Sequence, residues 1–109
     1  MDVKVVATKL YERRIGKLLP PNIRSEMEDA IAASPESHPI IPGTKGVRKA
    51  RYARPGRGKR GGIRVIYYWA VQPEVVLLIT AYAKNEKENL TDADKAEIRK
   101  IIESFRGNA

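Results

Sequence analysis

The chain has 109 residues, with 21 Lys or Arg against 13 Asp or Glu and a formal net charge of +8 at pH 7. It has no cysteine, which excludes disulfides, thiolate nucleophiles and cysteine-based zinc sites, and its length predicts one domain over residues 1–109. No apolar stretch approaches the ~20 residues that span a bilayer, and no signal-peptide pattern is present, so we predict a cytoplasmic protein with no membrane partner.

The first third of the chain predicts a short strand and a helical hairpin. A β-branched run over residues 3–6 is followed by Thr8, a residue type that caps helices. Apolar residues then recur at helical spacing in two segments, which the prolines at 20–21 separate. A proline-containing loop over residues 34–43 follows this predicted hairpin.

The rest of the chain predicts three strands and a last helix. A strand over residues 46–52 leads into a glycine-rich loop over 53–62, and two further strands follow over 63–71 and 75–83. Thr91 caps the last helix. The order β, α, α, β, β, β, α predicts an α+β fold, with an antiparallel sheet of about four strands and the helices on one sheet face.

Nine basic residues and no acidic residue lie in the segment from 43 to 64. They are Lys45, Arg48, Lys49, Arg51, Arg54, Arg57, Lys59, Arg60 and Arg64. Taking these nine from the 21 basic residues leaves 12 against 13 acidic residues, so the whole positive excess is local. A compact basic patch on a near-neutral body is the electrostatic pattern expected of nucleic-acid binding.

Side-chain alternation predicts an open sheet face that carries Arg64. Ile66 shares the face of Arg64 on its strand, because successive strand residues point to opposite sides. In the next strand the even-numbered residues from Leu78 to Lys84 share a face, and the odd-numbered apolar residues pack beneath helices. We therefore expect Arg64, Tyr82 and Lys84 to line the open face.

The strand before the glycine-rich loop carries basic side chains on both sides. Lys49 and Arg51 share one side and Arg48 takes the other, and alternation alone does not decide which side faces solvent. Tyrosine, arginine and lysine on one sheet face can bind a single RNA strand, whose bases can stack on Tyr or Arg. The predicted RNA-binding residues are Arg48, Arg54, Arg57, Lys59, Arg60 and Lys87.

The residue types restrict how such a site can cleave RNA. His38 is the only histidine, so chemistry driven by a histidine pair is excluded, and the patch holds no carboxylate. Attack by a 2′-hydroxyl on the adjacent phosphodiester remains possible without a metal or other cofactor. Arginines would stabilise the extra negative charge of the transition state, and a lysine with a lowered pKa would move the proton.

Four segments together resemble the RelE/ParE toxin superfamily, and within it the HigB-like or RelE-like branch. They are residues 43–52 (GTKGVRKARY), 56–62 (GRGKRGG), 63–68 (IRVIYY) and 82–91 (YAKNEKENLT). The resemblance implies a RelE-like fold and the toxin of a bacterial type II toxin–antitoxin module. Such a toxin is an mRNA interferase, a metal-independent endoribonuclease that enters the ribosomal A site and cuts translated mRNA.

The resemblance also implies partners. They are the ribosome with its mRNA and a cognate antitoxin, expected to be of the helix-turn-helix, HigA-like kind. The antitoxin would cover or distort the basic face, and operator DNA would be bound only through the toxin–antitoxin complex.

Three basic residues match family positions in or beside the catalytic site. Arg64 matches a catalytic arginine of the family. Lys49 and Arg51 lie where RelE-type toxins place basic residues that contact the scissile phosphate. The resemblance therefore implies that all three take part in catalysis.

The group that transfers the proton stays open. Lys84 lies beside the position of a second family arginine, which aligns here with Asn85. The catalytic tyrosine of some RelE toxins would fall near Thr91, and this chain has no tyrosine after Tyr82. Tyr82, Lys59 and Lys84 are the candidates for this role.

Two other functions compete with the endoribonuclease. A ParE-like protein of the same fold would inhibit DNA gyrase by binding, without nuclease chemistry, and a plain nucleic-acid-binding module would not be toxic. Arg64 and the dense cluster from Lys49 to Lys59 favour the endoribonuclease, because a gyrase inhibitor needs no stabilisation of phosphate charge in the middle of its sheet.

Overall fold

The computed structural model describes residues 3–54, 62–87 and 89–107. Its elements in chain order are β1 (Lys4–Ala7), α1 (Lys9–Leu18), α2 (Pro21–Ala33), β2 (Arg48–Tyr52), β3 (Ile63–Ala70), β4 (Val75–Ala83) and α3 (Asp92–Gly107). The predicted α+β class and the predicted order of elements are confirmed. Most of the predicted glycine-rich loop lies outside the described residues.

The four strands form one sheet in the order β1-β4-β3-β2. β2 pairs antiparallel with β3, and β3 with β4, as predicted. β1 instead lies parallel to β4, with Lys4 opposite Val75 and Ala7 opposite Leu78. The sheet is therefore mixed, which corrects the expected antiparallel sheet at this one strand. No tight turn joins β1 to β4, and alternation of side chains is the same in parallel and antiparallel strands.

Two threonines begin helices by local hydrogen bonding. The Thr8 hydroxyl accepts a hydrogen bond from the backbone N–H of Tyr11 at 3.0 Å and donates one to the carbonyl of Ile79 at 2.6 Å. One side chain thus caps α1 and ties it to β4. At α3, the N–H of Asp94 donates to the Thr91 hydroxyl at 3.0 Å, and the N–H of Thr91 donates to the Asp94 carboxylate at 2.9 Å. This reciprocal pair is a capping box.

Helices cover both faces of the sheet. Tyr11 and Met27 of α1 and α2 are buried in one hydrophobic cluster with Val65 of β3. Ile102 of α3 is buried in a second cluster with Ile66, which points to the other side of β3. The prediction of helices on one face is therefore wrong. The apolar stripe of α3 predicted a buried side, and only the packing of the whole chain decides which sheet face that side covers.

A β-bulge changes the alternation in β4. The pairing passes from Ile66 opposite Thr80 to Tyr67 opposite Leu78, which leaves Ile79 as the extra residue. Leu78 consequently joins the cluster under α1 and α2. The predicted common face from Leu78 to Lys84 is thus wrong at Leu78, because one inserted residue exchanges the two faces of a strand.

Candidate nucleic-acid interface

Three polar side chains form a row across the sheet. Arg51 on β2 lies opposite Arg64 on β3, and Arg64 lies opposite Tyr82 on β4. Residues directly opposite in neighbouring strands project from the same face. We call this set, Arg51, Arg64 and Tyr82, the arginine–tyrosine row. Lys49 lies opposite Ile66 and shares the face of the row. Of the two sides of β2 that alternation left undecided, the side with Lys49 and Arg51 therefore belongs to the candidate site.

The row runs from solvent into the interior. Arg51 is exposed, Arg64 retains 9% of its accessible surface and Tyr82 retains 1%. Tyr82 belongs to the same hydrophobic cluster as Ile98 and Ile102 of α3. The expectation of an open face is therefore wrong at its β4 side, because α3 covers that part of the sheet.

Arg64 is a buried cation with few partners among the described residues. Its Nη1 donates a hydrogen bond to the carbonyl of Ile63 at 3.3 Å. No carboxylate among the described residues forms an ion pair with it. A guanidinium stays protonated in proteins, and burial of a charge without an opposite charge is costly. An anion such as a phosphate would supply the missing partner.

Tyr82 carries a buried hydroxyl that forms no hydrogen bond with the described part of the chain. Burial raises the pKa of this phenol, the charges of Arg64 and Arg51 lower it and that of Asp94 raises it, with a net upward shift. The phenol is therefore protonated at neutral pH. In this state it can donate a hydrogen bond or a proton to an anion held by the arginines.

Lys87 lies over the Tyr82 ring and forms an ion pair with Asp94. The Lys87 Nζ lies 5.6 Å from the ring centroid and 3.0 Å from the Asp94 carboxylate. The pKa of Asp94 is lowered, chiefly by the hydrogen bond from the backbone of Thr91 and further by Lys87. Lys87, predicted to bind RNA, is thus placed near the row and joined to the first turn of α3.

Arg48 lies on the opposite face from the row. Its Nη1 donates hydrogen bonds to the carbonyls of His38 at 2.7 Å and Glu36 at 3.1 Å, so it anchors the loop before β2. The structure therefore does not bring Arg48 together with Lys49 and Arg51. Alternation indicated this separation, whereas the contact with the loop has no signal in the sequence.

The remaining predicted residues lie at the end of the sheet or beyond the described ranges. Lys84 is exposed and follows β4 directly, and its backbone N–H donates to the carbonyl of Gly62 at 2.9 Å, next to the start of β3. Arg54 is half-buried after β2. Arg57, Lys59 and Arg60 lie outside the described residues, so their predicted roles stay predictions.

α3 also brings an acidic residue to the basic segment. Lys45 Nζ lies 2.6 Å from the Glu103 carboxylate, and Arg99 donates to the carbonyl of Gly43 at 2.7 Å. The buried Thr44 shapes this turn, since its hydroxyl donates to the carbonyl of Ile41 at 2.6 Å. The basic segment contains no acidic residue of its own, but the fold places Glu103 beside it. This carboxylate reduces the net positive charge of the patch at Lys45.

Two kinds of feature are missing from residues 3–54, 62–87 and 89–107. Their His, Asp and Glu side chains form no group of three or more that could hold a metal ion. None of their helices is long and apolar enough to cross a membrane.

The fold and the site together define a small α+β protein with a row of cations and a phenol on one sheet face. Residues 41–108 match the model of a family described as the RelE toxin of the RelE/RelB toxin–antitoxin system. Because this match spans more than half of the chain, the protein belongs to the RelE toxin family.

A solved structure supports the same fold. The chain is similar to the E. coli toxin RelE, solved in the free state as a mutant with two arginines replaced by alanine. The TM-score is 0.56 at 16% sequence identity, and the alignment covers 89% of this chain and 97% of the other. At this identity the similarity concerns the fold, and the predicted RelE-like architecture is confirmed.

Proposed function

We propose that the protein is a ribosome-dependent endoribonuclease that cuts translated mRNA and is neutralised by a cognate antitoxin. The arginine–tyrosine row is the observation that carries this proposal. Its two guanidinium groups and its protonated phenol are adjacent on one sheet face, and the more buried guanidinium has no acidic partner among the described residues. This combination suits a phosphodiester in a transition state better than a protein surface.

The chemistry we propose is attack by the 2′-hydroxyl on the adjacent phosphorus. The bond from the 2′-oxygen to phosphorus forms while the bond from phosphorus to the 5′-oxygen breaks, which yields a 2′,3′-cyclic phosphate and a 5′-hydroxyl. Arg51 and Arg64 stabilise the added negative charge on the phosphorane oxygens. Tyr82 donates a proton toward the leaving 5′-oxygen, and Lys84, next to the start of β3, is our candidate to accept the proton of the 2′-hydroxyl on its neutral amine form.

The burial of the row gives a reason for dependence on the ribosome. A phosphate reaches Arg64 and Tyr82 only if the side chains that cover them move and the RNA strand bends so that one linkage points into the face beside α3. Free RNA rarely takes such a shape, whereas the A site holds a codon in a fixed geometry. Orientation of this kind can supply several kcal/mol, roughly 7–11 in the most favourable cases.

The charge of the protein gives a reason for control by an antitoxin. The excess of +8 favours a partner that brings acidic side chains to the basic face. We propose an antitoxin of the HigA-like, helix-turn-helix kind, with operator DNA bound only through the complex, in the cytoplasm.

The test is induction of the chain without its antitoxin in bacteria, with 5′ ends of cellular mRNA mapped by primer extension. New ends confined to translated regions are expected for the wild type. Arg64→Ala should reduce them about 100-fold, and Arg64→Lys should restore little because lysine lacks the fork of donors. Binding to ribosomes should change little in both variants. Growth arrest with intact mRNA and damaged DNA would overturn the proposal in favour of gyrase inhibition.

A further inference from the structure

A cleft of about 250 Å³ lies beside the row, between the loop before β2 and the beginning of α3. Its lining residues are Pro39, Ile40, Ile41, Pro42, Lys49, Asn89, Leu90 and Lys95. Lys49 also belongs to the sheet face of the row, two residues from Arg51 on the same side of β2. The cleft therefore opens next to the place where the proposed scissile phosphate would lie.

The chemistry of the cleft suits a nucleobase. Prolines, isoleucines and a leucine form apolar walls, Asn89 adds an amide, Lys49 and Lys95 add positive charge, and no lining residue is acidic. Ile40 is an exposed apolar wall residue, with 53% of its area accessible. The neighbouring cleft between α1 and α3 differs in charge, because its lining includes two basic and two acidic residues, Arg14, Lys87, Asp94 and Glu97.

Hydrogen bonds hold the walls of the cleft in place. The N–H of Ile41 donates to the carbonyl of Val47 at 2.8 Å, and the N–H of Lys49 donates to the carbonyl of Pro39 at 3.1 Å. These bonds attach the loop to the sheet edge on both sides of Ile40. A preformed wall loses little conformational entropy when a ligand binds.

We propose that this cleft binds one unstacked nucleobase of the RNA, adjacent to the phosphate on the row, and sets the base preference of cleavage. Asn89 reads the edge of the base, and Lys95 contacts the neighbouring backbone. The volume of about 250 Å³ lies below the roughly 300–1,000 Å³ of pockets for drug-sized ligands and fits a group of the size of one base. This inference rests on the proposed function and names the substrate feature that the same site selects.

A binding experiment tests the cleft without cleavage. The probe is an mRNA oligonucleotide whose A-site codon is 2′-O-methylated, and each base of that codon is removed in turn to leave an abasic position. Affinity is measured on programmed ribosomes and with the free oligonucleotide. For the wild type, removal of one particular base should weaken binding about tenfold, the scale of one good amide–base contact.

Variants of exposed residues connect that loss to the cleft. Ile40→Glu and Asn89→Ala should bind the intact probe more weakly than the wild type does. In these two variants, removal of the same base should lower the affinity only slightly further. Val71→Glu is the matched control, because Val71 is 59% exposed on the turn after β3 and away from the cleft. It should behave as the wild type, and thermal unfolding should show that all three variants are folded.

Mapping of cleavage sites separates failure of the cleft from failure of the proposed function. If the wild type cuts mRNA with a base preference that Asn89→Ala abolishes, both proposals stand. If the wild type cuts nothing and the loss of affinity on removal of the base still depends on Ile40, binding of the base by the cleft stands, and its role in cleavage fails together with the endoribonuclease. If removal of the base lowers the affinity by the same factor in Ile40→Glu and in the wild type, the cleft proposal is overturned.

Discussion

Arg64 and Tyr82 lie directly opposite each other on β3 and β4, the first with 9% and the second with 1% of its surface exposed. One is a cation without a carboxylate partner among the described residues, and the other is a phenol whose hydroxyl finds no hydrogen-bond partner there. Two such groups side by side lower stability. A bound phosphate, as we propose, would satisfy both.

Tyr82→Phe is expected to affect stability and activity in opposite directions. Loss of a buried hydroxyl without a partner should leave the free energy of unfolding unchanged or raise it by up to about 1 kcal/mol. Loss of a proton donor should reduce mRNA cleavage about 100-fold. Urea unfolding and primer extension measure the two effects.

Tyr67→Phe is the control for that experiment. The Tyr67 hydroxyl donates to the carbonyl of Pro35 at 2.7 Å, on the face away from the row. This variant should lose about 1 kcal/mol of stability and keep full cleavage. A Tyr82→Phe variant that cleaves like the wild type would remove Tyr82 from the reaction.

Arg51→Ala and Arg48→Ala should separate two arginines only three positions apart. Arg51 is exposed on the row, so its loss should reduce cleavage roughly 10-fold to 100-fold, as for one charge-assisted contact to phosphate, with little change in stability. Arg48 holds the carbonyls of Glu36 and His38, so its loss should cost about 1–3 kcal/mol of stability.

The measurement for these two arginines is cleavage at a temperature where both variants are folded. Arg48→Ala should then cleave within about threefold of the wild type, since a residue on the other face makes no contact to the phosphate. The predicted role of Arg48 in RNA binding would be supported, against this expectation, if its loss weakened binding to RNA with stability unchanged.

Asp94→Asn should lower stability in a way that depends on pH. The pKa of Asp94 is lower in the folded protein than its ordinary value of 3.8, so the charged carboxylate stabilises the fold above pH 3.8. At pH 7 the variant should lose about 1 kcal/mol, the worth of a capping contact at a helix N-terminus.

The same stabilisation disappears as the pH falls below 3.8 and through the folded pKa, because the wild-type carboxylate then takes up a proton. Urea unfolding of both proteins from pH 7 to pH 3 measures the difference. A difference that stays constant over that range would show that the charge of Asp94 contributes nothing to the cap.

The local elements of the fold were predictable from the sequence. Proline, threonine and β-branched residues act on their immediate neighbours, so the boundaries of α1 at Thr8 and of α3 at Thr91 followed from residue types. Alternation also identified Lys49 and Arg51 as sharing one side of β2, and it placed Arg64 and Tyr82 on one sheet face.

The features that the sequence did not reveal depend on packing between distant segments. Arg99 reaches the carbonyl of Gly43, and Lys45 pairs with Glu103, across separations of more than fifty residues. The position of α3 over Tyr82 belongs to the same class. A hydrophobic stripe indicates that a helix is buried, and carries no information on which face of the sheet buries it.

The extra residue in β4 determines which side chain faces Arg64. If β4 paired with β3 without Ile79 as a bulge, the register from Tyr67 and Leu78 onward would set Ala81 opposite Arg64 and turn Tyr82 toward α1 and α2. The phenol stands beside the guanidinium because the extra residue is accommodated as a bulge, and not only because of which residues β4 contains. Deletion of Ile79 would therefore remove the bulge and still leave Tyr82 opposite Arg64.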